Sequence, residues 1–389
     1  MREDLIDILC CPESREPLRL AAVDSFFRLD ADGPRFVVRG ILSTASGVRY
    51  PVLDEIARLV PGALFSDAEK AALDAASGDA PADPWAAARE VEPEVVTGED
   101  LEAEIRRRML AQYALAGDPS GDSETEARAR RRCEGEIRYM TAEARGSNKR
   151  KYVGLLRPHI DPGGPAESIL ETGGNFPGLT RNLSTVYRPA RAVVANIQIL
   201  FPKAFLTPRR EIQAVRADVQ ALPFIDRGFD LVVTAFMLEH VPDWRRGLRS
   251  LMRVGERVFV AFGPNKWFPF EVGHLDAPLA GTLPKPIAAR VTWLWLFLIG
   301  KPRPLRRLQE ILQEVFHVGS GAFARQVIRF GGRPHNLFPE LIQGIVADAD
   351  APSTGPRRLL KTYPTVASAA AKALTALGLE PQMYYWIKK

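Results

Sequence analysis

Cysteine is scarce. The three in 389 residues, Cys10, Cys11 and Cys133, cannot build a disulfide framework, which makes the cytoplasm the expected compartment. Long apolar runs are missing too. The longest clean one, 293–299, is far short of the ~20 residues that cross a bilayer. The opening Met1-Arg2-Glu3-Asp4 has no apolar stretch or small-residue cleavage site, so no signal peptide is expected. Neither sign of charge dominates: 52 Lys and Arg oppose 47 Asp and Glu, interspersed, for a net +5. Composition therefore gives little reason to expect a nucleic-acid partner. There is no internal repeat and no low-complexity tract. A 46% hydrophobic and 25% charged composition excludes disorder over most of the length.

At roughly 100–200 residues per domain, the length suggests two or three domains. Residues 1–62 read as a small β-rich domain, with short alternating runs at 26–30 and 35–42 parted by Asp32-Gly33-Pro34. Residues 63–160, rich in Ala, Glu and Arg, read as a helical linker or cap. Helices are expected from Thr97 to about 115, with Leu101, Ile105, Met109, Leu110 and Tyr113 on one face, then at about 124–140 and 148–157. From 161 onward, apolar runs alternate with helical stretches. Strands are expected at 168–172, 192–196, 212–216, 229–235, 257–262 and 382–388, and a helix at 365–377. This predicts an α/β fold, a doubly wound and mostly parallel sheet covered on both faces. An insert at 264–335, rich in Pro, Trp and Phe, interrupts the rhythm.

In open parallel sheets, ligands bind beyond the carboxyl ends of the strands. The first such end here is Glu171-Thr172-Gly173-Gly174-Asn175-Phe176-Pro177-Gly178, where glycines let backbone approach a ligand. Further along stand Asp218-Val219-Gln220-Ala221-Leu222-Pro223-Phe224 and Asp226-Arg227-Gly228-Phe229-Asp230-Leu231-Val232. Ala235-Phe236-Met237-Leu238-Glu239-His240-Val241-Pro242-Asp243 follows, and then Leu251-Met252-Arg253-Val254. In register and without gaps, these stretches resemble the "D-A-x-x-L-P-F-x-D-x-x-F-D-L-V … L-E-H-V-x-D" segment of class I S-adenosylmethionine-dependent methyltransferases.

The resemblance implies a seven-stranded Rossmann-like sheet and S-adenosyl-L-methionine as cofactor. It assigns cofactor contacts to Glu171, Gly173, Gly174, Asn175, Gly178, Asn196, Asp218, Val219 and Phe236. The Asp218 carboxylate would accept from the adenine amino group, Val219 would lie on the purine face, and Phe236 would wall the methionine end. Two segments depart from the family. Asn175 and Pro177 alter the glycine turn, and Asn196 stands where an acid usually binds both ribose hydroxyls, offering one acceptor and an amide donor instead. A catalytically weakened scaffold or binding protein on the same fold is the alternative these departures raise. A dinucleotide enzyme is disfavoured, because Gly-x-Gly-x-x-Gly is absent and no acid ends the second strand.

The insert carries Pro264-Asn265-Lys266-Trp267-Phe268-Pro269-Phe270-Glu271-Val272-Gly273-His274, similar to a "P-N-x-x-F-P-x-E-x-H" insert of some bacterial methyltransferases. The resemblance places it on the acceptor side and makes Glu271, His274 and His240 the candidate catalytic residues, as base and orienting groups. A loop salt bridge or surface histidine is the plain alternative. The acceptor is expected to be a small molecule or lipid-linked. The stretch 291–300, followed by the basic 301–307, has two readings. Apolar residues all round favour simple burial, whereas an apolar patch beside a basic cluster would give peripheral membrane contact. Finally, Cys11-Pro12-Glu13-Ser14 and Ser43-Thr44-Ala45-Ser46 resemble the "C-P-x-C" and "C-x-x-C" knuckles of a short zinc ribbon that accompanies methyltransferases. Serine at Ser14, Ser43 and Ser46 cannot replace thiolate on zinc, so a ribbon shape without metal is expected.

Overall fold

The alternation of apolar runs and helical stretches becomes α/β structure in the computed structural model, which describes residues 1–76, 81–115, 123–146, 149–174, 176–272, 274–301, 303–347 and 360–389. Asn175 lies outside the described residues. The chain divides into two compact units. The first holds residues 1–153, 167–218 and 223–225, and the second holds 154–166, 219–222 and 226–389. The expected linear division at 62 and 160 runs differently, because residues 1–62 share a unit with the strands around 168–217.

In the first unit the strands are β1 (Arg19–Arg28), β2 (Arg35–Ser43), β3 (Arg49–Leu53), β4 (Ile56–Leu59), β5 (Arg89–Glu90), β6 (Ser168–Thr172), β7 (Arg191–Asn196) and β8 (Gln213–Ala217). Their order is β6-β7-β8-β4-β3-β2-β1-β5. β6, β7 and β8 are mutually parallel neighbours, with Thr172 opposite Ala195 and Asn196 opposite Arg216. β4 runs parallel to β8 through Ala57–Val215 and Leu59–Ala217, so the N-terminal meander extends the parallel strands. Beside this junction the buried Arg210 guanidinium donates two 2.8 Å hydrogen bonds to the buried Glu55 carboxylate. A charge pair removed from water needs such bidentate geometry to offset its desolvation.

The helical stretch packs onto this unit's core. Helix Gly98–Leu115 starts at Thr97, whose hydroxyl accepts from the Asp100 N–H at 3.2 Å, satisfying a first-turn donor. Leu101, Ile105 and Met109 are buried with Cys133 and Ile137 of helix Ser123–Ala144 and with Phe176, Val194 and Phe201. Leu110 is exposed, contrary to expectation. The buried stripe repeats every four residues, and a neighbour one position on is turned about 100° away from it.

The second unit holds β9 (Phe229–Ala235), β10 (Gly255–Phe262), a two-stranded piece β11 (Phe270–Glu271) and β12 (Ala277–Pro278), then β13 (Arg333–Asn336) and β14 (Met383–Lys388). The order is β13-β14-β10-β9, with β9 parallel to β10 and β14 antiparallel to it. Of the six strands placed from the sequence, three (β6, β7, β8) lie in the first unit and three (β9, β10, β14) in the second, where β13 is an addition that the pattern did not reveal. Helix Trp244–Val254 makes the β9–β10 crossover. Its first turn is capped by Asp243, which accepts from the Arg246 N–H at 3.0 Å. The fold is α/β and Rossmann-like, as the pattern predicts. The insert adds helices Lys285–Leu298, Leu305–Glu314 and Ser320–Arg329. Among the described residues no helix is long and apolar enough to cross a membrane.

Candidate functional site

The first unit gathers its candidates at the carboxyl ends of β6, β7 and β8. β6 runs out at Thr172, and Gly173 turns with φ +84°, donating its N–H to Ala195 O at 2.9 Å. That left-handed angle is cheap only for glycine. At Gly174 a Cβ would stand 2.9 Å from Phe176 O and 3.2 Å from Glu171 Oε1, so the turn admits no side chain there. Glu171 is buried, and its Oε2 accepts from both the N–H and the hydroxyl of Thr180 at 2.8 Å. Thr180 lies in the first turn of helix Gly178–Tyr187, where a carboxylate is also favoured by the helix dipole. Glu171 therefore pins the turn to the helix that Gly178 begins.

Asn196, half-buried at the end of β7, donates its side-chain amide to Gly174 O at 3.3 Å. A carboxylate has no donor for that carbonyl. The departure from the family pattern thus has a local role, tying the strand end to the glycine turn. Asp218, half-buried, follows β8 directly. The donor set suits an adenosyl group: close backbone at 173 and 174, a hydrogen-bonding side chain after the second strand, and a carboxylate after the third.

In the second unit, Val219 is buried at the start of a short turn, Val219–Ala221, beside Gly247. A Cβ on Gly247 would come within 3.0 Å of Leu238 and 3.5 Å of Val219. Phe236 follows β9 with φ +56°, an angle uncommon outside glycine that turns its half-buried ring edge-on to Tyr384, 6.0 Å between centroids. The motif did not single out Tyr384.

All five histidines of the chain fall in this unit, in two groups. Glu271 is buried and fully engaged. Its Oε1 meets His274 Nδ1 and the His274 N–H, both at 3.1 Å, and its Oε2 accepts from the N–H groups of Leu275 at 2.6 Å and Asp276 at 3.0 Å. Burial alone would raise the Glu271 carboxyl, but bonds from the His274 ring and the backbone carry it below its ordinary range. The His240 and His274 rings meet edge to face at 5.2 Å. His240 is exposed, yet burial of part of its ring, and then His274, lower its pKa. Glu239, His240 and His274 bring one ligand atom each within 4.8 Å of one another. The structure thus unites the three residues expected on the acceptor side.

Sequence reasoning missed His317. It packs on the bare face of Gly281, its Nε2 is buried, and burial pushes its pKa down to about 4 despite the pull of Glu271. A lone histidine between two helices carries no motif that would have revealed it. The second group stands apart: the Glu340 carboxylate joins His159 Nε2 at 2.6 Å and His335 Nε2 at 2.7 Å.

At the N-terminal knuckles, Cys11 Sγ lies 3.1 Å from the Tyr50 hydroxyl and accepts the Ser14 N–H at 3.3 Å. The Glu16 carboxylate accepts from the Ser14 hydroxyl at 3.0 Å and from the Ser46 hydroxyl, so a hydrogen-bonded carboxylate links the two loops. Ser43 is buried in β2.

Residues 183–257 match the family model described as "Methyltransferase domain". Over 97 residues the chain is 33% identical to the ubiquinone/menaquinone biosynthesis C-methyltransferase UbiE of Ectopseudomonas mendocina (strain ymp), an alignment covering 23% of this chain and 38% of that protein. The chain therefore spans well under half the length of this curated relative. Similar solved structures include an S-adenosylmethionine-dependent methyltransferase from Mesorhizobium loti, at 14% identity and TM-score 0.38, covering 63% of this chain and 100% of that one. Another is phosphoethanolamine N-methyltransferase 2 of Haemonchus contortus with S-adenosylhomocysteine, at 11% identity and TM-score 0.36, covering 60% and 51%.

Proposed function

We propose that the protein is an S-adenosylmethionine-dependent methyltransferase acting on a small-molecule or lipid-linked acceptor. The supporting observation is one of placement: the matched segment 183–257 contains β7, β8 and β9, and Asn196, Asp218 and Phe236 follow their carboxyl ends. The turn from Glu171 through Gly173, Gly174 and Asn175 to Gly178 would carry the methionine end of the cofactor. The Asn196 side-chain oxygen would accept from a ribose hydroxyl and Asp218 from the adenine amino group. When bound, the cofactor supplies a methyl group on a sulfonium that leaves without help from an acid.

The chain's own part is to position the acceptor and take its proton. His274, held through Nδ1 by Glu271, presents Nε2 as the base, and the fixed carboxylate stabilises the imidazolium that results. His240, its pKa lowered, stays neutral beside it and orients the acceptor. Residues 1–62 we read as a metal-free ribbon that docks on the rest of the chain.

Calorimetric titration with S-adenosylmethionine and S-adenosylhomocysteine tests the reading. Saturable binding weakened about 10- to 100-fold in Asp218→Ala is expected for a lost hydrogen bond to a charged group. No binding by the wild type up to millimolar ligand would replace the enzyme with the scaffold reading.

A further inference from the structure

We propose that helix Lys285–Leu298 and the basic residues that follow it form a docking surface for an anionic lipid bilayer. The proposal is independent of the chemistry assigned above. The helix buries one narrow face, Ala288, Ala289, Thr292 and Leu296, against a cluster that includes Leu275, Ala277, Leu308 and Leu312. Its opposite face is apolar and open: Ile287 is 48% exposed, Leu294 52%, Phe297 59% and Leu298 70%. Trp293 and Phe297 stack on this outer side, with centroids 5.7 Å apart and planes at 16°. Burial on all sides, the reading favoured by the sequence, does not occur. The helix is firmly seated on its inner side, so the outer patch belongs to a fixed element. Large contiguous apolar patches on a soluble surface mark interaction sites.

Charge selects the occupant. From residue 277 to 309 there is no Asp or Glu, while Lys285, Arg290, Lys301, Arg303, Arg306 and Arg307 are cationic. Glu310 pairs with Arg306 at 3.3 Å and Arg307 at 3.1 Å, which leaves the segment a clear positive excess. A second copy seated on the same patch would bring two such segments together with no acid in either to oppose them. An anionic membrane supplies both missing partners, an acyl boundary for the outward Phe, Trp and Leu side chains and phosphates for the rim. At 14 residues the helix lies in the interface and does not span it. The helix and the basic stretch after it are tied to the His274 loop: Trp295 Nε1 donates to Asp276 O at 3.1 Å, and Arg303 donates to His274 O at 3.3 Å.

Vesicle flotation with the full chain tests the proposal, using phosphatidylcholine alone and phosphatidylcholine with about 30% phosphatidylserine, a charge density that attracts basic segments. Two variants are compared with the wild type, Leu294→Glu/Leu298→Glu and Lys301→Glu/Arg306→Glu. All four positions are exposed, and thermal melts verify the fold. Binding is expected only to the anionic vesicles, weakening with salt, and falling at least about 10-fold in each variant. Equal binding to neutral vesicles, no binding at all, or wild-type affinity in the Leu294→Glu/Leu298→Glu protein would overturn it. So would sedimentation showing a dimer that this variant converts to monomer, since a second copy would then cover the face.

Discussion

Two helices of the second unit make opposite use of their outer surfaces. Trp244–Val254 buries Trp244, Leu248, Leu251, Met252 and Val254 and turns Arg245, Arg246 and Arg249 to water. Lys285–Leu298 buries the narrow face of Ala288, Ala289, Thr292 and Leu296 and turns Leu294, Phe297 and Leu298 outward. The first is the ordinary amphipathic solution, in which the apolar stripe faces the core. The second keeps a core contact yet leaves its largest apolar groups uncovered. A helix composition alone does not say which side meets water. The inner neighbours decide that, and here they take up only the narrow face of Ala288, Ala289, Thr292 and Leu296.

The comparison breaks most clearly with one substitution made on both helices. Leu251→Ala removes a fully buried side chain and should lower stability by about 2–5 kcal/mol, read from denaturant melts. A loss below about 1 kcal/mol would mean the crossover helix is not seated as described. The insert's inner side offers the next largest effect, through His317. Its pKa is pushed down to about 4, so the unfolded chain takes up the proton first as pH falls. The stability its neutral ring contributes is complete above about pH 6.5 and is lost as pH falls toward 4, on the order of 2–3 kcal/mol in all. His317→Gln should flatten the stability profile between those limits, and an unchanged slope would refute the assignment. Leu298→Ala should be smallest, within about 0.5 kcal/mol, because the side chain is already in water. Its effect should appear in vesicle binding instead.

The sequence made the central strands legible because their apolar runs are local and continuous. β9 and β10 fall where the alternation puts them, and so does the helix Pro364–Leu377. The Asp218–Val254 motif located the strand ends that carry the cofactor candidates. The pairing of β4 with β8 was not legible, because no local pattern records which distant strand accepts an edge. The bond from Asn196 to Gly174 was hidden for the same reason: an amide in place of an acid reads as a lost acceptor until the carbonyl facing it is known. The Glu271–His274 hydrogen bond lies within a single short motif, whereas the place of His317 depends on the packing of two helices. At the knuckles the Glu16 bridge between Ser14 and Ser46 was not legible, because it depends on loop geometry.

The most direct test is an experimental structure of the protein with S-adenosylhomocysteine. The ligand is expected beyond the carboxyl ends of β6, β7 and β8, with the ribose at Asn196, the adenine amino group at Asp218, and backbone of Gly173 and Gly174 alongside. Density for the ligand elsewhere, with these strand ends untouched, would contradict it.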